Sequence, residues 1–284
     1  MKFNKIMSFI SASILTLSIA TGFSYITTNA QTITDTNSNP KFTTYSTDSN
    51  IAKMQAEIHK KTRGKTVSVS NQYIKIENIS NDPQKPKYVA KAYTEKEYLA
   101  EKNLIKPLTS VTTPYSQYNW ITLTLEVDKS YKNDGTYEIY GFYSWKTLPF
   151  FTGKDFIALT HDSNITFNPQ QTKGSINYDT YLSNGDVATS TNPFNNNSSD
   201  FTYAGGNVGY RFQLHDGTNQ TDYGFIGTTG ARPTSSSSNI VFTYEHQGLS
   251  ITWNPTLSFP GGVSVSVNAI GAYTPANIGI QARF

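Results

Sequence analysis

The chain of 284 residues contains no cysteine. A protein without cysteine forms no disulfide bond and has neither a thiolate nucleophile nor a thiolate metal ligand. Its stability must therefore come from buried side chains, and aromatic residues, which make up 13% of the sequence, bury large apolar areas. The absence excludes cysteine-dependent hydrolases and thiol redox enzymes.

Familiar catalytic motifs are absent as well. The sequence has neither a G-x-S-x-G nucleophile elbow nor an H-E-x-x-H zinc motif. We interpret each of its four histidines as a strand-edge or loop side chain: His59, His161, His215 and His246. We therefore expect no catalytic residue, no metal ligand and no cofactor. One alternative remains: His161 and His215, each followed by an aspartate, converge in space and form a site.

The N-terminus has the pattern of a secretory signal peptide. Lys2 and Lys5 precede a mostly apolar, uncharged stretch from Ile6 to Ala20, and small residues stand before a cleavage position after Ala30. That stretch is shorter than the ~20 predominantly apolar residues a spanning helix needs. We expect a secreted extracellular protein with no transmembrane span.

Charge divides the rest of the chain into three parts. Residues 31–50 are polar and are predicted to form a flexible leader. Residues 51–110 carry twelve Lys and Arg against six Asp and Glu, whereas residues 111–284 carry eight against twelve. The basic segment is expected either to dock on the acidic part or to bind an anionic wall polymer or lipid head groups. The near balance of charge over the mature chain argues against nucleic acid as a partner.

The basic segment is predicted to be a small α+β unit. In "IAKMQAEIHKK", Ile51, Met54 and Ile58 lie on one face of a helix. In "YTEKEYLAEKNLIKP", Thr94 and Glu97 have the spacing of a capping box at the start of a second helix. The alternating residues of "KTVSVSNQYIKIEN" between them predict one or two strands.

Residues 111–284 read as short strands separated by turn sequences, without an intervening helix. The chain is therefore predicted to be mainly β, with an antiparallel β-sandwich or jelly roll over residues 111–284. The stretch "YEIYGFYSW", residues 137–145, is apolar on both faces, which is typical of a central strand. We expect a second sheet on one face, the basic segment on the other, and Trp145 in the core.

Two groups of residues are candidates for binding. We interpret four oxygen-bearing side chains as the tip of a hairpin and not as a calcium site: Asp128, Asn133, Asp134 and Glu138. Three aromatic residues lie closer to loops and are the candidate ligand-binding rings, for a cell-wall polymer or glycan: Tyr203, Tyr223 and Phe225.

At "YEIYGFYSW…PFFTGKDFIALTHD" and "LSFPGGVSVSV" the chain resembles an uncharacterised family of exported β-rich proteins of Gram-positive bacteria. The resemblance covers about Trp120 to Val267 and brings no known function. We expect a secreted, noncatalytic protein that binds a cell-envelope or extracellular ligand. A membrane-acting toxin or antimicrobial factor is the alternative, because Val and Ser alternate in "GGVSVSVNAIGAY". An extracellular hydrolase with an unrecognised site is the second alternative, and the oligomeric state is left open.

We predict that the mature protein begins at Gln31. N-terminal sequencing of protein from culture supernatant checks this prediction. A cell-bound product that retains Ile6 to Ala20 would contradict it.

Overall fold

The computed structural model describes residues 46, 48–62, 64–78, 88–104, 118–146, 153–214, 220–247, 254–258, 262–266 and 273–284. The predicted signal peptide, most of the leader, His215 and Trp253 lie outside these residues. The helices are α1 (Ser49–Thr62), α2 (Glu95–Leu104) and a 3-10 turn at Pro169–Gln171. The strands are β1 (Lys65–Asn78), β2 (Tyr88–Tyr93), β3 (Tyr118–Lys129), β4 (Tyr137–Trp145), β5 (Lys154–His161), β6 (Ile165–Thr166), β7 (Thr172–Tyr181), β8 (Val187–Asn195), β9 (Phe201–Ala204), β10 (Asn207–Gln213), β11 (Gln220–Pro233), β12 (Ser237–Gln247), β13 (Asn254–Ser258), β14 (Gly262–Ser266) and β15 (Tyr273–Arg283).

Two large antiparallel sheets form most of the described part of the chain, which confirms the predicted mainly β sandwich. Sheet A has the order β2-β1-β3-β4-β11-β7-β8, with β6 added beside β11. Sheet B has the order β15-β12-β5-β10-β9. Strands β13 and β14 form a separate hairpin, whose backbone lies against β5, β9, β10 and β12 of sheet B.

Strand β4 lies in the middle of sheet A and all nine of its residues are buried. Its Trp145 and Tyr143 face sheet B, where the Trp145 indole N–H donates to the Tyr244 hydroxyl at 2.7 Å. Gly141 makes close approach of the sheets possible, because a Cβ there would lie 2.1 Å from the Phe242 ring. The expectation that Trp145 is a core residue is confirmed by its exposure of 1%.

Helix α1 covers the opposite face of β4. Its Ile51 and Met54 form a buried cluster with Tyr140, Phe142 and Tyr223 from sheet A. The helix begins two residues before the predicted start of the basic segment, where the Asp48 carboxylate accepts from two backbone N–H groups of its first turn. As expected, part of the basic segment therefore supplies the second cover of β4.

The basic segment also contributes strands to sheet A. Strand β1 pairs with β3 along nearly its whole length, with one bulge at the start. Helix α2 begins with the predicted capping box, in which the Thr94 N–H donates to Glu97 at 2.7 Å and the Glu97 N–H donates to the Thr94 hydroxyl at 3.3 Å. Tyr98 then stacks on Tyr73 and meets the edge of Trp120.

The β3–β4 connection, residues 130–136, is a hairpin, as predicted. Asn133 and Gly135 adopt φ values of 52° and 73°, and the Asp134 carboxylate accepts from the backbone N–H of Thr136. Asn133 and Asp134 are exposed at the tip, whereas Asp128 and Glu138 are buried directly opposite each other on the two strands. Of the four oxygen-bearing residues predicted to form the hairpin tip, Asn133 and Asp134 therefore lie in the turn. The other two, Asp128 and Glu138, form a buried pair on the strands.

Replacing Trp145 with alanine is expected to lower the free energy of unfolding by about 3–5 kcal/mol, because it removes a buried large aromatic side chain. Trp145→Phe keeps most of the buried ring and loses the hydrogen bond to Tyr244, so it should cost less. Urea unfolding of both variants measures this. Unchanged stability of Trp145→Ala with reduced binding to purified cell wall would show a surface ligand platform instead.

Glu245 is buried on the outer face of sheet B, beside Val241 and Thr243, on the side where β13 and β14 lie. Burial raises the pKa of its carboxyl from 4.5 to about 8. The folded state therefore keeps a proton that the unfolded state loses as pH rises above about 4.5, and the stability contribution of Glu245 falls between those two pH values.

We predict that Glu245→Gln, which cannot ionise, becomes progressively more stable than the native protein between pH 5 and pH 8. The difference should grow by at most about 1.4 kcal/mol per pH unit. Urea unfolding at pH 5, 6.5 and 8 measures it, with the exposed Glu95→Gln as the control. Parallel pH profiles for Glu245→Gln and the native protein would refute the prediction.

Candidate functional site

An open groove runs between α1 and sheet A, and we call it the helix groove. Its volume is about 460 Å³, which lies within the range of small-molecule pockets. Strands β4, β7, β8 and β11 form its floor and far wall, and α1 forms the near wall. Its lining residues are Lys53, Met54, Glu57, Ile58, Lys61, Thr62, Tyr140, Lys173, Gly174, Ser175, Asn177, Thr189, Thr191, Tyr223 and Phe225.

The floor of the helix groove is apolar and aromatic. Phe225 is half-buried, with its ring centroid 5.9 Å from that of Phe142 and 6.4 Å from that of Tyr140. Met54 and Ile58 of α1 pack against the same cluster. An apolar surface of this kind accommodates the apolar part of a ligand, such as the face of a sugar ring.

The far wall is polar, and its side chains are held in place by one another. The Tyr223 hydroxyl donates to the Asp179 carboxylate at 3.1 Å, and the Thr189 hydroxyl donates to the same oxygen at 2.6 Å. Burial, with the charge of Asp179 as a further cause, raises the pKa of Tyr223 to about 12. The Thr191 hydroxyl donates to the Asn177 amide oxygen at 2.9 Å. These contacts give the wall a fixed pattern of polar groups.

Positive charge surrounds the helix groove. Lys53 and Lys61 on α1 and Lys173 on β7 are exposed at its rim, and Glu57 is the acid among its lining residues. The lysine ammonium groups favour an anionic ligand at this position.

The three predicted ligand-binding rings are not in one place. Phe225 and Tyr223 both line the helix groove, whereas Tyr203 lies on edge strand β9 and is not a lining residue. The expectation of an exposed ring is correct for Tyr203, which is 51% exposed, and wrong for Tyr223, which is 2% exposed. Tyr223 is buried because its strand is the third from the sheet edge and lies under α1.

A second feature lies beneath the C-terminal end of α1, and we call it the acid–histidine cluster: His59, Glu126 and Asp128. The His59 Nε2 atom lies 2.6 Å from Glu126 Oε1 and 3.4 Å from Asp128 Oδ2. Gln55 Nε2 donates to Glu126 Oε2 at 2.7 Å, and the Thr66 hydroxyl donates to Glu126 Oε1 at 3.0 Å. Both carboxylate side chains are fully buried, and that of His59 is 4% exposed.

The pKa values of two members of the cluster, His59 and Asp128, are raised. Burial by itself would lower the pKa of His59, but contacts with Asp128 and Glu126 outweigh it and raise the pKa above its usual value. Burial, with the nearby charge of Glu126, raises the pKa of Asp128. The contacts with the two acids thus favour the protonated form of His59, and burial favours the neutral form of Asp128.

A third acid, Glu138, stands next to the cluster on β4. It is paired in register with Asp128, and its Oε2 atom accepts from the Tyr140 hydroxyl at 2.8 Å. Burial also raises the pKa of Glu138. Because Tyr140 lines the helix groove, Tyr140 and Glu138 connect the groove to the buried cluster.

The interpretation of His59 as a strand-edge or loop residue is wrong, because it lies in α1 and is buried. A signal for this buried contact is present in the sequence. Gln55 and His59 share the helix face of Ile51, and two acids alternate with apolar residues in "TLEVDK" of β3. Polar residues on both facing surfaces indicate a buried polar contact.

The remaining described histidines have structural partners. His246 Nδ1 lies 3.1 Å from both carboxylate oxygens of Asp155, which also accepts from the Tyr244 hydroxyl between the two sheets. The ring nitrogens of His161 lie close to the backbone carbonyls of Asp162 and Gly206. The alternative that His161 and His215 converge into a site involves His215, which lies outside the described part of the chain.

Comparison with known proteins identifies no family. No family model and no curated protein matches the sequence. Among solved structures, a chain from a structure of manganese lipoxygenase of Gaeumannomyces graminis and part of zonadhesin of Komagataella pastoris is 8% identical, with a TM-score of 0.27, covering 76% of this chain and 86% of that one. A serine-rich repeat protein of Streptococcus agalactiae is 8% identical, with a TM-score of 0.26, covering 75% and 82%. Likenesses this weak carry no argument about function.

Proposed function

We propose that this is a secreted, noncatalytic binding protein that holds an anionic cell-envelope glycan or wall polymer in the helix groove. The single observation that carries the proposal is the combination, in one open groove, of an aromatic floor, a fixed polar wall and a lysine-rich rim. Each of these three parts matches one part of such a ligand: sugar ring faces, hydroxyl groups and negative charges.

The shape of the site supports binding of a chain-like ligand. The groove is open, and its exposed lysines come from two separate elements, α1 and β7. A ligand lying along the floor would thus meet ammonium groups from both the helix and the sheet. The secretory pattern of the N-terminus supports an envelope ligand, since such polymers lie outside the cell.

The burial of the three side chains argues against a hydrolase active site at the acid–histidine cluster. Its three functional groups are packed between α1 and sheet A, with side chains at most 4% exposed. A general acid or base must come within hydrogen-bond reach of its substrate, and a substrate in the helix groove does not touch these atoms.

One observation favours the membrane-acting alternative as a second candidate. Within the described residues, the β13–β14 hairpin forms its own two-stranded sheet, and the outer face of sheet B beside it contains buried hydroxyls of Thr160 and Thr243 without a hydrogen bond. Buried unpaired polar groups weaken a contact. Release of the hairpin to a lipid surface would be measured as dye leakage from phosphatidylglycerol vesicles.

The groove proposal predicts binding to purified Gram-positive cell wall that weakens with salt, because exposed charges are screened. Replacing Lys53, Lys61 and Lys173 together with glutamine should reduce affinity by about tenfold, since exposed ion pairs contribute about 0.2–1 kcal/mol each. Pull-down and calorimetry on wall with and without its phosphodiester polymers measure the effect.

The matched control removes three exposed lysines outside the groove lining: Lys96, Lys129 and Lys132. It changes net charge equally and should bind like the native protein. Equal losses in the two triple variants would reduce the interaction to general charge attraction and refute the groove. No saturable binding to either wall preparation, with dye leakage from vesicles, would replace the proposal with the membrane-acting candidate.

A further inference from the structure

We propose that the acid–histidine cluster is a structural Zn²⁺ site, with His59 Nε2, Glu126 and Asp128 as its protein ligands. These three residues offer one nitrogen and two carboxylate ligand atoms, all within 4.8 Å of one another. Imidazole and carboxylate groups are both established zinc ligands. The site is separate from the helix groove and does not depend on what that groove binds.

The distances within the cluster fit an ion after a small adjustment. At zinc–ligand distances of about 2.0–2.2 Å, tetrahedral ligand atoms lie about 3.4 Å apart. The 3.4 Å between His59 Nε2 and Asp128 Oδ2 already has this value. The 2.6 Å between His59 Nε2 and Glu126 Oε1 is a direct hydrogen bond, which must open by less than 1 Å to admit the ion.

Asp128 provides an independent indication of a missing ligand. Its side chain is fully buried, and among the described residues neither carboxylate oxygen makes a hydrogen bond, the one polar contact being the ion pair of Oδ2 with His59 Nε2 at 3.4 Å. Buried polar groups are normally hydrogen-bonded, so a carboxylate with this single long contact requires an explanation. A cation between them would satisfy one oxygen of Asp128 directly, and the second oxygen can complete the coordination as a bidentate ligand.

The charges balance with a divalent ion. With His59 as a neutral imidazole ligand, the carboxylates of Glu126 and Asp128 together balance the charge of +2 on a bound Zn²⁺. Glu126 is oriented for this by Gln55 and Thr66, which donate to its two oxygens. Mg²⁺ and Ca²⁺ require more oxygen ligands or several waters than this closed site offers, which favours Zn²⁺.

The ion would join the last turn of α1 to strand β3. Helix α1 is one wall of the helix groove, so bound zinc should stabilise the folded protein and hold that wall in place. Because the cluster is closed to solvent, the ion would have no open position for a substrate, as in structural zinc sites.

The test uses tag-free mature protein dialysed against EDTA and titrated with ZnCl₂. Calorimetry and elemental analysis should give one zinc per chain, and the melting temperature should rise. Asp128→Asn removes a charged ligand and keeps the shape of the side chain, so zinc affinity should fall on the order of 100-fold, the upper end of the loss seen when even an outer-shell partner is removed. MnCl₂, MgCl₂ and CaCl₂ are titrated in parallel and should bind more weakly.

Glu138→Gln is the matched control, because it replaces a neighbouring buried acid whose carboxylate is bonded to Tyr140. It should keep zinc binding. His59→Gln is a second ligand variant, used if Asp128→Asn does not fold. Zinc affinity within threefold of the native protein in a folded ligand variant would overturn the proposal. So would the absence of saturable binding at one equivalent in the native protein.

Discussion

The structure depends on how α1 covers the outer face of sheet A, which carries both aromatic residues and carboxylates. Helix α1 lies on that face and brings His59 within 2.6 Å of Glu126 in a fully buried contact. Removing one partner of such a pair leaves an uncompensated buried charge, which is far more destabilising than loss of an exposed ion pair. The contact therefore holds the C-terminal part of α1, which is one wall of the helix groove, against strand β3.

The same helix serves two surfaces with different chemistry. Toward its N-terminal end, Ile51 and Met54 pack on the aromatic residues of β4 and β11, and this apolar contact continues into the groove floor. Toward its C-terminal end, Gln55 and His59 meet carboxylates of β3. The buried apolar area stabilises the folded state without requiring one orientation of the helix. The hydrogen bonds of Gln55 and His59 are directional and are satisfied in one specific orientation.

Sheet B is covered by different means. Its inner face interlocks with sheet A around Trp145, Tyr244 and Phe242, a contact that needs Gly141. Its outer face buries Glu245 and the hydroxyls of Thr160 and Thr243, for which the described residues offer no hydrogen-bond partner. Buried polar groups without hydrogen bonds weaken a contact, so we attribute the firm packing of sheet B mainly to its aromatic inner face. No described helix is long and apolar enough to cross a membrane.

The sequence by itself determined the strand-rich fold, the central buried strand, the hairpin at Asp134-Gly135 and the capping box of α2, because local alternation and turn or cap chemistry encode these features. It placed Phe225 among ligand candidates without showing its partners. Only the tertiary structure brought His59 to Glu126 and Asp128, 67 and 69 positions away, and buried Tyr223 under α1. Such contacts depend on strand order and helix docking, which no local pattern specifies.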